Sequence, residues 1–333
     1  MYNINRAIPL STAILLCGLT APALAQQTAS TGSGQAYPTR PIRIIVPFTP
    51  GGGTDILARL LSVRFHAAWG QVAPVENRPG GSGNIGAEVV VRSPPDGHML
   101  LMSTASMAVN VTLFPKMPFD MRRDLAPISQ VASAPIVIVV HPSVPARTLP
   151  ELLKLAKSRK DILSFGSNGT GTTSHLAGEL LQQLSGVKFT HVPFKGASGA
   201  MLSLISGEVE IGMPATTSAR PHIAAGKLRG LAVTTIRKSS VLPDLPTVAS
   251  YYPGFDIDNW FSLWAPAGTP PAIINQLHAE VVKSLQHQEM KTFFQREGAE
   301  PVGSSPAELA AHVTREIEKY AKIIKASGAK PDA

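Results

Sequence analysis

Gly51, Gly52 and Gly53, followed by Thr54 and Asp55, form the stretch whose residue types say most about chemistry. Three glycines in a row remove every Cβ from a turn, so backbone can approach a ligand closely. Unpaired N–H groups and the positive end of a following helix then suit an anion. Phe48 and Thr49 lead into this turn and are candidates with it. A second stretch, residues 167–175, reads Ser-Asn-Gly-Thr-Gly-Thr-Thr-Ser-His, with six of nine positions Ser, Thr or Asn. A helix cap needs only one such residue. The excess predicts a donor-rich ligand wall of Asn168, Thr170, Thr172, Thr173 and Ser174. Ser103, Thr104 and Ser106 at the end of a short apolar run, together with Phe194, Thr216 and Thr217, complete the candidate ligand-binding set.

These groups bind without reacting. Neutral donors and helix ends give an anion about 0.3–1 kcal/mol each, but they supply no general base of tuned pKa. Gly81-Ser82-Gly83-Asn84-Ile85-Gly86 matches the dinucleotide fingerprint in letters. An Asn-Arg-Pro-Gly turn separates it from the preceding strand, and Ser106 stands where a ribose-binding acid belongs. No Gly-x-Ser-x-Gly elbow is present, and the nine histidines show no paired metal-ligand spacing. Ser174 beside His175 leaves an exported serine esterase as the rival reading. The expectation is a site with no catalytic residue, no metal and no cofactor.

The elements that must position these residues alternate as in an α/β fold. Residues 42–46 read as a strand and 56–69 as a helix with an apolar stripe, which places the glycine turn between strand and helix. Further strands are expected at 72–75, 99–102, 135–140, 163–166, 187–194, 209–211, 228–234 and 260–265. The run 135–140 is apolar throughout, as for a strand buried on both faces. Capped helices should begin at Thr148 with Glu151, at Thr269-Pro270, and at Ser305-Pro306 with Glu308.

Composition sets the compartment. Residues 1–25 carry Arg6, an apolar run and Ala23-Leu24-Ala25, an export signal with cleavage after Ala25. Residues 26–37 form a polar leader. Cys17 is the only cysteine, so the processed chain has neither disulfide nor thiol chemistry. The net charge of +8 is scattered, without a basic run, and does not point to nucleic acid.

Several ordered motifs resemble a known family. They include Tyr37-Pro38-Thr39-Arg40-Pro41, Gly52-Gly53-Thr54-Asp55, Glu76-Asn77-Arg78-Pro79-Gly80, Pro95-Asp96-Gly97, His175-Leu176-Ala177-Gly178-Glu179, His191-Val192-Pro193-Phe194-Lys195-Gly196 and Leu242-Pro243-Asp244-Leu245-Pro246-Thr247. Together they look like the Bug family, the Bordetella-uptake-gene type extracytoplasmic solute receptors of tripartite tricarboxylate transporters. The resemblance implies a periplasmic-binding-protein fold: two α/β domains around a ligand cleft, with two interdomain crossings. Domain 1 would comprise 38–138 plus 257–333 and domain 2 would comprise 139–256. It further implies a periplasmic monomer whose partners are a small organic acid and the membrane components of the transporter. A ligand sensor on the same fold is the alternative. After 209–211, where many relatives carry Asp or Asn, this chain has Gly212-Met213-Pro214-Ala215-Thr216-Thr217, which should make that corner less polar.

Overall fold

A computed structural model describes residues 37–331 except Lys195, together with all their side chains but those of Thr217 and Glu297. The expected export signal, its cleavage site and nearly all of the leader lie outside the described residues.

The chain runs β1 (Arg43–Val46), α1 (Gly53–Trp69), β2 (Val75–Asn77), α2 (Asn84–Val91), β3 (Met99–Thr104), α3 (Ser106–Leu113), α4 (Met121–Asp124) and β4 (Leu125–Pro135). It continues with β5 (Val137–Val140), α5 (Leu149–Ser158), β6 (Ser164–Ser167), α6 (Thr173–Ser185), β7 (Thr190–Pro193), α7 (Ala197–Ser206), β8 (Ile211–Gly212), α8 (Thr216–Ala224) and β9 (Arg229–Val233). It ends with β10 (Asp258–Pro266), α9 (Pro271–Leu285), α10 (Gln288–Glu297), β11 (Glu300–Pro301) and α11 (Pro306–Ser327).

Two sheets result. The first has the order β11-β4-β10-β3-β1-β2 and the second β7-β6-β8-β5-β9. In the first, β1 pairs in parallel with β2 and β3, while β10 enters antiparallel between β3 and β4. In the second, β5 is the antiparallel strand, between β8 and β9. Each sheet therefore takes its reversed strand directly after a crossing. The chain leaves the first sheet at Pro135 and enters the second at Val137, with Ile136 bridging to Ala215. It returns after β9, where Ile257 N–H donates to the Thr234 carbonyl at 3.0 Å. The parallel strands of both sheets aim their C-terminal ends at the junction, the usual place for a ligand in open α/β sheets.

Local sequence explains the helix starts. Thr148 accepts from the Glu151 N–H, and Glu151 answers to Arg147 N–H rather than to Thr148. Ser305 and Glu308 make the full reciprocal box at the start of α11. At α9 the expected cap differs: Pro270 takes the N-cap position, and the Thr269 hydroxyl donates to the Pro266 carbonyl. Helix α11 spans the molecule. It packs against α3 and β4 from one lobe and against α6 from the other, and Leu309, Val313, Ile317 and Tyr320 join Val109, Leu113, Leu176 and Phe165 in one core.

Candidate functional site

The opening loop is built by its own buried acid. Asp55, in the first turn of α1, is 3% exposed and accepts from Gly51 N–H at 3.0 Å, Arg59 Nε at 3.1 Å and Asn77 Nδ2 at 3.0 Å. Burial alone would raise its pKa. The Arg59, Gly51 and Asn77 hydrogen bonds outweigh that and hold the carboxyl below the usual range. The same Asn77 amide donates to the Phe48 carbonyl, so one side chain ties both ends of the loop. Gly51, at φ 85°, supplies the left-handed turn that brings its N–H onto Asp55. Gly52 is the N-cap of α1, and no side chain caps it. First-turn amides of an α-helix have no intrahelical partner. The uncapped start therefore leaves donors at the junction, beside exposed Thr49, Gly51 and Gly52.

The hydroxyl-rich loop spends much of its polarity on itself. Thr172 caps α6 by accepting from His175 N–H and donates to the Gly169 carbonyl. Ser174 accepts from Asn168 N–H at 2.9 Å and meets the Thr172 hydroxyl at 2.9 Å. Ser167 pairs with His191 Nε2, and Gly169 N–H reaches the Ser167 hydroxyl. Among the described residues, the Asn168, Thr170 and Thr173 side chains form no hydrogen bond; Asn168 and Thr170 are half-buried and Thr173 is buried. Phe194 N–H closes on the Ser167 carbonyl and Gly196 N–H on that of Asn168, joining the next loop to this one.

Two turns meet the same helix on neighbouring faces, the 82–84 turn and the hydroxyl loop. On one side Asn110 of α3 donates to the Ser82 carbonyl at 2.9 Å and to Asn84 Oδ1 at 2.8 Å. That bond holds Ser82 at φ 53° and presses Gly83 to Pro47 and Phe48. On the other side Gly171 packs so closely on Leu113 and Val109 of α3 that any Cβ would collide with Leu113. Helix α3 thus forms a floor that touches the hydroxyl loop directly and the glycine loop only through the 82–84 turn. Asn77, Ser82 and Asn110 were absent from the sequence-derived set. Asn110 carried one usable signal: a lone amide within an otherwise apolar helical stretch.

Not every expected residue comes to this floor. Ser103 is fully buried, its hydroxyl 3.2 Å from that of Ser262, which also receives the Trp264 indole N–H. Thr104 donates to the Ser106 hydroxyl at the entry to α3. Thr216 is buried on another seam, where it donates to the Gly298 carbonyl after α10. Thr217 lies in α8, and its side chain is outside the description.

Residues 57–329 match the family described as "Tripartite tricarboxylate transporter family receptor". The chain belongs to that family. As a member of the tripartite tricarboxylate transporter receptor family it is 36% identical over 301 residues to BugT of Bordetella pertussis, across 90% of this chain and 92% of BugT. The solved structure of "R. palustris Rpa4515 with adipate" is 35% identical, covers 89% of this chain and 100% of that one, and superposes with TM-score 0.80. "MatC (Rpa3494) from Rhodopseudomonas palustris with bound malate" is 31% identical over 86% of this chain and 100% of that one, TM-score 0.76. The Bug resemblance and the periplasmic-binding-protein fold both hold.

The receptor family also settles the rival reading, because its members bind solutes and are not enzymes. The geometry gives the physical reason. His175 Nδ1 accepts from Gly171 N–H and its Nε2 lies 3.5 Å from Glu179. The ring stacks on His191 at 4.1 Å. Ser174, held by Asn168 and Thr172, shares no hydrogen bond with the imidazole that would have to activate it.

Proposed function

We propose that this receptor closes on a small organic carboxylate between the Phe48–Asp55 and Ser167–Ser174 loops and delivers it to the membrane components of a tripartite tricarboxylate-type transporter. The single observation that carries this reading is the start of α1. There an uncapped helix end offers amides while Asp55, which would repel an anion, is tied at both oxygens and paired with Arg59 at 3.0 Å. Phe48, Thr49, Gly51, Gly52, Gly53 and Thr54 supply one side of the grip. Asn168, Thr170, Thr172, Thr173, Ser174 and Phe194 supply the other, with Thr104 and Ser106 at the entry to the floor. Adipate and malate in the two structural relatives support a dicarboxylate.

The same reading makes the protein a periplasmic monomer processed after Ala25, with a discontinuous domain of residues 38–138 and 257–333 and an inserted one of 139–256. A thermal-shift series with adipate, malate, citrate and a size-matched diamine tests it. A ligand at a hundred times its dissociation constant adds about 2.7 kcal/mol, several degrees in a chain of this size. Stabilisation by the diamine and by none of the acids would reject a carboxylate site.

A further inference from the structure

At the crossings, on the β11–β4 edge of the first sheet and not the β1 edge that carries the glycine loop, the strand ends and α11 line a half-open cavity of about 690 Å³. The first lobe lines it with Gln130 and Ser133 of β4, Glu300 of β11 and the polar edge of α11, and the second lobe with residues 235–238. A space walled by both lobes changes volume whenever they rotate. Its charges are crowded, and the most deeply placed of them is Asp258.

Asp258, the first residue of β10, clasps the outgoing strand through Ser133, which donates to its Oδ2. Its Oδ1 is buried with no hydrogen-bond partner. Asp256 lies two residues earlier and is held by Ile236 N–H of the second lobe at 3.4 Å. Helix α11 contributes Glu316, which accepts from the Trp260 indole at 3.3 Å, and Lys319, whose ammonium sits 2.6 Å from Glu316, 3.8 Å from the Asp256 carboxylate and 2.7 Å from its carbonyl. His312 stands over Trp260 with its Nε2 buried and unpartnered. One ammonium therefore serves Asp256 and Glu316 before Asp258 ionises at all. The remaining cations, Arg237 and Lys238, line the cavity from the second lobe and are exposed.

We propose that this network is a proton-operated hinge latch: when Asp258 loses its proton, Arg237 and Lys238 are drawn across the cavity, the gap at the crossings narrows and the loop side opens. Burial first, then the like charges of Asp256 and Glu316, push the Asp258 carboxyl up to about 7, while Ser133 and Lys319 pull it down. Burial likewise raises Asp256, and it lowers His312, which disfavours a compensating positive charge on the imidazole. Glu300 at the cavity wall adds a further negative charge facing the same space. A change of one charge at a crossing biases a rotation that is otherwise governed by soft hinge torsions. The latch rests on the crossings and not on what occupies the loop side, so it stands or falls separately from the carboxylate reading.

The test places spin labels at Ile85→Cys in α2 and Leu202→Cys in α7, both exposed, in the full chain with Cys17→Ser and without added ligand. The expected result is an inter-label distance that lengthens as pH rises, with a midpoint near pH 7. Asp258→Asn, which keeps the shape and removes the titration, should abolish the change. Ser133→Ala removes the hydrogen bond that favours the ionised form and should move the midpoint to higher pH. A pH-independent distance in the parent protein, the same titration in Asp258→Asn, or an unmoved midpoint in Ser133→Ala would each overturn the latch.

Discussion

Asp55 and Asp258 each stand at the first turn or first residue of an element at the junction between lobes, yet their surroundings drive them in opposite directions. Asp55 collects a backbone amide, a side-chain amide and a guanidinium, and its pKa falls. Asp258 has burial, one serine hydroxyl, two carboxylates and a single shared ammonium around it, and its pKa rises to about 7. Burial opposes the charged form of both and is the first cause of the rise at Asp258, but at Asp55 it is outweighed. What separates them is whether the chain brought donors to the acid. On the loop side it did, and the acid became scaffold. At the crossings it did not, and the acid became a titrating group.

Substitutions can break this contrast, the largest first. Asp55→Ala should cost about 2–3 kcal/mol, since Arg59, Asn77 and Gly51 N–H all lose their acceptor, and should abolish acid-induced shifts in the ligand screen. A lowered pKa means that the Asp55 contribution is present above pH 3.8 and fades as pH falls through the folded-state value. Denaturant melts of parent and variant should therefore converge in acid. If they stay parallel, Asp55 is not the charged keystone of the loop.

Gly171→Ala tests the seam without touching either acid. The residue has φ 79° and no room on its Leu113 side, so about 1–3 kcal/mol should be lost. The pH midpoint of the hinge should not move, because a Cβ on Gly171 meets Leu113 and Val109 of α3 and no charged group. A shift of that midpoint would show that the two sides of the junction are one electrostatic unit.

Asp258→Asn has the most telling sign. An acid whose pKa is raised by folding weakens the folded state progressively from pH 3.8 to about 7. The variant should melt a few degrees higher than the parent at pH 8 and no higher near pH 3.5. Equal gains at both values would mean better packing rather than relief of a buried charge.

The strand–glycine turn–helix unit around β1 and α1 was readable because apolar periodicity, three glycines and a helix start coincide within a few residues. The crossing strand β4 was not. Leu125–Pro135 mixes prolines, serines and a glutamine, and it becomes a strand through eleven residues of tertiary context, paired on β10 along most of its length. Helix α10 was missed for a similar reason, since Gln288–Glu297 has few apolar positions and owes its place to α1, α8 and α9. At the site, residue type was legible and direction was not. Ser103 sits opposite Ser262 in the β3–β10 register, which turns it into the buried pair with that residue, and no property of residues 99–106 alone reveals which strand will lie beside them.

The placement of β10 has one more consequence, for the order in which a chain emerging N-terminus first can fold. Residues 137–233 contain every strand of the second sheet, so that sheet can assemble as soon as they have cleared the exit. The first sheet waits with a gap between β3 and β4 until residues 258–266 arrive to fill it. The lobe begun first is the one finished last, and until then two strand edges of its centre stay open to whatever else the compartment holds.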